Sequence, residues 1–264
     1  MKHSIKTLIA AAAFVAAGVA SAAPLTLDVG QTVESQGYSF SGLTGSGTLS
    51  FSTTLIGALN AGGVQVSAVD PATVLVDQRP NGKYRSVSAS APVTSLSGDF
   101  NGSTLAVQSV ATAGGALQTA EADDFTTTGG SLAITNLRVD LVQNRVYATL
   151  IGANGVGTVN DLYLWDIGLV EGATSFNING STSTVTSTNI LSGLKINANA
   201  FSLFSQSLGL TQAGNDALAT VTDFGKINSV ITANVAAVPE PSTYGLVGFG
   251  LAAMGLVARR RRAA

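Results

Sequence analysis

The chain has 264 residues, 13 of them Lys or Arg and 15 Asp or Glu, with a formal net charge of −2, one His and no Cys. Without cysteine there is no disulfide framework and no thiol chemistry. The single histidine, His3, lies in a segment that reads as a cleaved leader. The exported body then has no imidazole, which excludes Ser-His-Asp and Cys-His nucleophile systems, His-ligated zinc and His-ligated haem.

Residues 1–22 have the layout of a signal peptide. Lys2 and Lys6 give a positive start, and Leu8 to Val19 form an apolar run too short to favour a membrane span. Ala20-Ser21-Ala22 supplies the small-x-small pattern that signal peptidase admits, so cleavage is expected after Ala22; a cut one residue later would put Pro24 next to the scissile bond. Export through the Sec translocon follows. Six of the 13 basic residues sit in the two end segments, which leaves seven against the 15 acids, Glu240 included. A processed body near −8 argues against nucleic acid or anionic lipid as a partner.

Residues 23–237 are rich in Ser, Thr, Gly, Ala and Val, and apolar residues alternate through them as in strands. Leu49, Phe51 and Thr53 alternate, then Val64, Val66 and Ala68, then Val74 and Val76. Leu132, Ile134, Leu137, Val139 and Leu141 lead to Gln143-Asn144, which reads as a hairpin turn into Val146, Ala148 and Leu150. Leu162, Leu164, Ile167 and Leu169 come next, with Tyr163, Trp165 and Asp166 partly on the other face, and Thr182, Thr184 and Thr186 form a Thr-rich strand. Asn-Gly pairs at 81–82, 101–102 and 179–180 punctuate the series. The rhythm breaks at Ala200 to Leu210, where Phe201, Phe204 and Leu208 have helical spacing and Asn199 is a plausible cap. Thr211 to Val221 reads as a second short helix, and Ile227 to Val235 as a final strand. The expected fold is one mainly-β domain, an antiparallel sandwich or solenoid-like sheet, with a helical insertion near 200–221.

No catalytic, cofactor or metal signature stands out. Ser192-Gly-Leu-Lys195 has the spacing of a Ser-Lys nucleophile but sits in a strand-like context without partner motifs. Asp223-Phe-Gly225 reads as a helix stop. Asp99-Phe-Asn101-Gly-Ser103 fits an acid-extended glycosylation sequon, and also a hairpin turn. With one Trp and five Tyr in the chain, the only suggestive glycan-contact group is Tyr163 and Trp165 beside Asp161 and Asp166. Paired carboxylates could serve glycoside hydrolysis, but their separation cannot be read from sequence.

The tail carries the most specific signal. Val238-Pro-Glu-Pro-Ser242 is followed by an uncharged stretch, Ser242 to Ala258, of 17 residues, which as a helix spans about 25 Å. A transmembrane helix is expected at 243–258, and Arg259, Arg260, Arg261 and Arg262 would stay on the cytoplasmic side. This order strongly resembles the PEP-CTERM sorting signal, with Pro239, Glu240 and Pro241 matching the motif, Tyr244 to Val257 the span and Arg259 to Arg262 the basic anchor. The resemblance covers residues 238–264 and implies export in a Gram-negative, exopolysaccharide-producing bacterium. It further implies a transient inner-membrane intermediate, recognition by exosortase, removal of the tail, and delivery to the cell surface or extracellular matrix. For the body, a structural or adhesive component associated with exopolysaccharide in a biofilm is the favoured, non-enzymatic reading. A secreted polysaccharide hydrolase using paired carboxylates is the alternative.

Overall fold

Alternating small polar and apolar residues build long strands here, and turns at glycine or asparagine end them. The computed structural model describes residues 22–123, 125–178 and 182–238. Strands β1 (Ala23–Asp28), β2 (Thr32–Ser35) and β3 (Tyr38–Phe51) lead into helix α1 (Thr53–Ala61). Next come β4 (Gln65–Val69), β5 (Thr73–Gln78), β6 (Tyr84–Phe100), β7 (Thr104–Thr112) and β8 (Gly115–Ala120). A meander follows: β9 (Gly130–Asp140), β10 (Arg145–Gly152) and β11 (Gly157–Asp166). Strands β12 (Leu169–Gly172), β13 (Ser175–Asn177), β14 (Thr182–Ser192) and β15 (Lys195–Ile196) precede helices α2 (Ala198–Ser207) and α3 (Gln212–Ala219), and β16 (Gly225–Ala237) closes the body.

All strand pairs are antiparallel, along the path β12-β14-β16-β3-β6-β7-β9-β10-β11-β15. Neighbours are often distant in sequence, so this is not the successive stacking of a solenoid. The long strand β6 joins two sheets: Ser88 to Pro92 pair with β3, whereas Val93 to Phe100 pair with β7. Side chains of both sheets meet in one large core. Val87, Leu191 and Ile227 come from one sheet, Ile134, Leu150 and Leu164 from the other, and the helices add Leu59, Phe204 and Leu218. A second cluster centres on Phe40 and Phe100, whose rings meet edge-on at 5.0 Å. Such edge-to-face pairs stabilise beyond their buried area.

The helical insertion falls where its spacing predicts, with Phe204 and Leu208 buried and Phe201 half-buried. Its cap is Asn197 rather than Asn199: the Asn197 Oδ1 accepts from the Asn199 N–H at 2.9 Å. Thr53 is not a strand residue. Strand β3 stops at Phe51, Ser52 caps α1, and Leu55, Ile56 and Leu59 form its buried face. Gln143-Asn144 does turn the chain between β9 and β10, with Asn144 in the left-handed region at φ 53°. Asn101 turns β6 into β7, its Oδ1 accepting from the backbone N–H groups of Ser103 and Thr104 at 3.1 and 2.8 Å. Ser192 ends β14 and Lys195 begins β15, so that pair sits on strands and not at a helix start. No helix among the described residues is long and apolar enough to cross a membrane. The span expected at 243–258 lies outside them.

Candidate functional site

The group expected around Trp165 is divided by the fold. On β11, Tyr163 lies opposite Tyr147 of β10, but Trp165 lies opposite Val146. Three β11 residues thus span two of β10, and this bulge turns Leu164 and Trp165 both inward. Trp165 is 3% exposed and stacks on Phe224 at 5.9 Å, which removes it from any surface contact. Tyr163, Asp161 and Asp166 stay on the outer face.

There they join residues that sequence reasoning missed. Register places Arg138 of β9 opposite Tyr147, and Asp140 opposite Arg145. The Arg138 guanidinium lies over the Tyr147 ring at 4.2 Å, and the Arg145 guanidinium over the Tyr163 ring at 4.5 Å. The two rings are 5.7 Å apart and tilted by 39°. Two cations and two aromatic rings thus interleave across three strands. Counting back from the Gln143-Asn144 turn would have given this register, since a short hairpin loop fixes which residues face each other.

The acids hold the array in place. Asp161 sits in the left-handed region at φ 48°, a conformation Asp tolerates better than most residues. Its Oδ1 accepts from Arg138 Nη2 at 2.8 Å and Nε at 3.2 Å. The Tyr163 hydroxyl donates to Asp166, and the Tyr147 hydroxyl donates to Gln143 Oε1 at 2.9 Å. Burial first, then the hydrogen bond to Asp166, holds the Tyr163 phenol above its usual range. Exposed ion pairs and cation–π contacts each contribute only about 0.5–1 kcal/mol. Their effect is chiefly to fix planar groups in one geometry. The result is a polar and aromatic surface whose carboxylates already have partners, which suits contact with a neutral polar ligand.

The other end of the molecule bears on sorting. Strand β1 begins at Ala23, directly after the exposed Ala22. Strand β16 runs to Ala237, and the Val238 N–H donates to the Gly37 carbonyl at 2.8 Å. A family model for the PEP-CTERM protein-sorting motif matches residues 237–262. The chain carries a PEP-CTERM sorting signal. That signal implies an exported protein processed by exosortase and directed to the cell surface. Pro239, Glu240, Pro241 and Arg259 to Arg262 fall within the PEP-CTERM match but, like Ala20, outside the described residues. Neither a curated protein nor a solved structure matches the chain.

Proposed function

We infer that the body is a structural or adhesive protein of the surface or extracellular matrix of a Gram-negative bacterium, associated with exopolysaccharide in a biofilm. The chain crosses the inner membrane through the Sec translocon and loses its leader after Ala22. It is held briefly by residues 243–258 before exosortase acts near Pro239-Glu-Pro241. The observation that supports the glycan partner is the Tyr147–Tyr163 pair set between Arg138 and Arg145 on the outer face of β9, β10 and β11. Tyrosine offers a sugar ring an apolar face and a hydroxyl at little entropic cost. Guanidinium groups add planar donors beside it.

The test is a binding and cleavage screen of the exported protein against the exopolysaccharide of the producing cell. Retention on that polymer should fall about tenfold or more in Y147A/Y163A, with the thermal midpoint little changed. Undiminished retention in the double variant would remove this face from the account. Shortening of the polymer by the wild-type protein would favour the hydrolase instead.

A further inference from the structure

Between the two sheets, beneath the helices, the large core holds a partly open cavity of about 120 Å³. Its size follows from the side chains that surround it. On β3 and β6 the wall includes three small residues, Gly47 paired to Ala91, and Ala89 paired to Leu49. Across from them, β9 presents Leu137 and Val139, and the turn after it Leu141, which pack against the core yet remain only half-buried. Well-packed interiors leave few voids larger than a water molecule. An engineered cavity of ~150 Å³ in another protein stays dry and takes up benzene.

This cavity is not wholly apolar. Asn189 of β14 and Ser229 of β16 are cross-strand partners, 6% and 8% exposed, and both line it. The Asn189 amide nitrogen reaches only the Ala173 carbonyl, at 3.5 Å. Among the described residues neither the Asn189 side-chain carbonyl nor the Ser229 hydroxyl has a hydrogen-bond partner. The indole N–H of Trp165, also in the lining, is without an acceptor. A buried donor left unpaired is destabilising, and the indole N–H lies in the wall of a space that a ligand can fill, with Asn189 and Ser229 in the same wall. Among the described residues no Lys, Arg, Asp or Glu lines the cavity, so a charged guest would lie there unpaired.

We propose that this cavity binds a small neutral molecule, mostly hydrocarbon, that carries one hydroxyl or carbonyl group. The apolar walls take the hydrocarbon, and Ser229 with Asn189 takes the polar group. The site is interior and independent of the outer Tyr147–Tyr163 face, so either can fail without the other.

Trp165 is the chain's single tryptophan and supplies the readout. The exported form of the full chain is titrated with 4-bromobenzyl alcohol, whose bromine quenches indole emission on contact. Bromobenzene and 4-bromobenzoate serve as the apolar and charged probes. Saturable quenching is expected for the alcohol, about fivefold weaker affinity for bromobenzene, which lacks the hydrogen bond, and no saturable quenching for the benzoate. S229A should bring alcohol and bromobenzene to equal affinity. A91L should abolish saturation by occupying the space, with the thermal midpoint confirming that it folds. G47A is the milder second variant, because a methyl group there meets Ile227 Cγ2 and Thr112 Cγ2 only at 3.7 and 3.8 Å; it should weaken binding. Quenching that stays linear in wild type, or that is the same in A91L, would show a void without a ligand site. Equal affinity of wild type for all three probes would refute the polar recognition.

Discussion

The Ser52 hydroxyl accepts from the Leu55 N–H at 3.1 Å and donates to the Asp223 carbonyl, 171 residues away, at 2.5 Å. One small side chain therefore starts helix α1 and ties it to the segment that leads into β16. Asp223 returns the connection from its own side chain, whose Oδ1 accepts from the N–H groups of Leu194 and Gly225 at 3.1 and 2.8 Å. Removing the hydroxyl in S52A loses the cap and leaves the Asp223 carbonyl without that donor. The expected cost is about 1–2 kcal/mol. Urea titration followed by circular dichroism measures it, and a loss below the error of the fit would show the tie to be unimportant.

Phe224 lies between Trp165 and Phe204, at ring separations of 5.9 and 6.3 Å, and is 2% exposed. F224A should destabilise the body by about 3–5 kcal/mol. It should also shift Trp165 emission in the folded state, since the ring that covers the indole is gone. An unchanged emission maximum would contradict the stacking.

Asp123 makes the opposite kind of contact, a fully polar one. Its carboxylate accepts from the Thr126 hydroxyl and from the N–H groups of Thr126, Phe125 and Thr127, at 2.7, 3.0 and 3.0 Å for the last three. The Thr126 hydroxyl above all, then the Thr127 N–H, holds its pKa well below the usual carboxylate range. The stabilisation is therefore present above the ordinary carboxylate pKa and is lost as pH falls through the lower folded value. Hydrogen exchange should find the Thr126 and Thr127 amides protected near neutral pH and unprotected in D123A. If protection in the variant matched wild type, Asp123 would not organise the turn.

Alkaline pH tests the outer face. The Tyr163 phenol is raised above its usual value, so its contribution to stability is intact below about pH 10 and disappears as pH climbs through the folded pKa. Ultraviolet titration should resolve a late-ionising tyrosine in wild type that is absent in Y163F. D166N should move that step downward, because the carboxylate acceptor and its charge both favour the neutral phenol. Identical titrations in wild type and D166N would break the link.

Processing makes its own prediction. Mass spectrometry of surface-derived protein should give an N-terminus at Ala23 and no residues beyond about Glu240. Surface protein that kept Arg259 to Arg262 would overturn the sorting account.

What could be read from sequence was whatever depends on local rules. Asn144 at a tight turn, alternation through β9 and β10, and the spacing of Phe204 and Leu208 are all set by neighbours in the chain. Misreadings came where distant segments decide. Ser52-Thr53-Thr54 continues a strand by propensity, and only contact with Asp223 and a buried face at Leu55, Ile56 and Leu59 makes the segment a helix. Residues two apart share a face of a regular strand, which groups Trp165 with Tyr163. A bulge between them breaks that rule, and a bulge is not written in side-chain pattern. Nothing local in sequence marks Arg138 and Arg145, because their partners lie on neighbouring strands. The cavity was invisible for a deeper reason: no periodicity indicates that Gly47, Ala89 and Ala91 will meet.

Strand β16 is bonded on both sides, to β14 and to β3, over nearly its whole length, and its last residues run straight into the sorting signal. A protein held by its C-terminus feels any pull from flowing water or a moving cell along this strand. Because the load lies parallel to β16, the flanking ladders must shear together rather than unzip one bond at a time. If processing left the body fastened through its C-terminus, the load would enter on a strand paired on both sides. With only Val238 between Ala237 and the Pro-Glu-Pro segment, a body fastened there would have almost no leash and would ride close against its support.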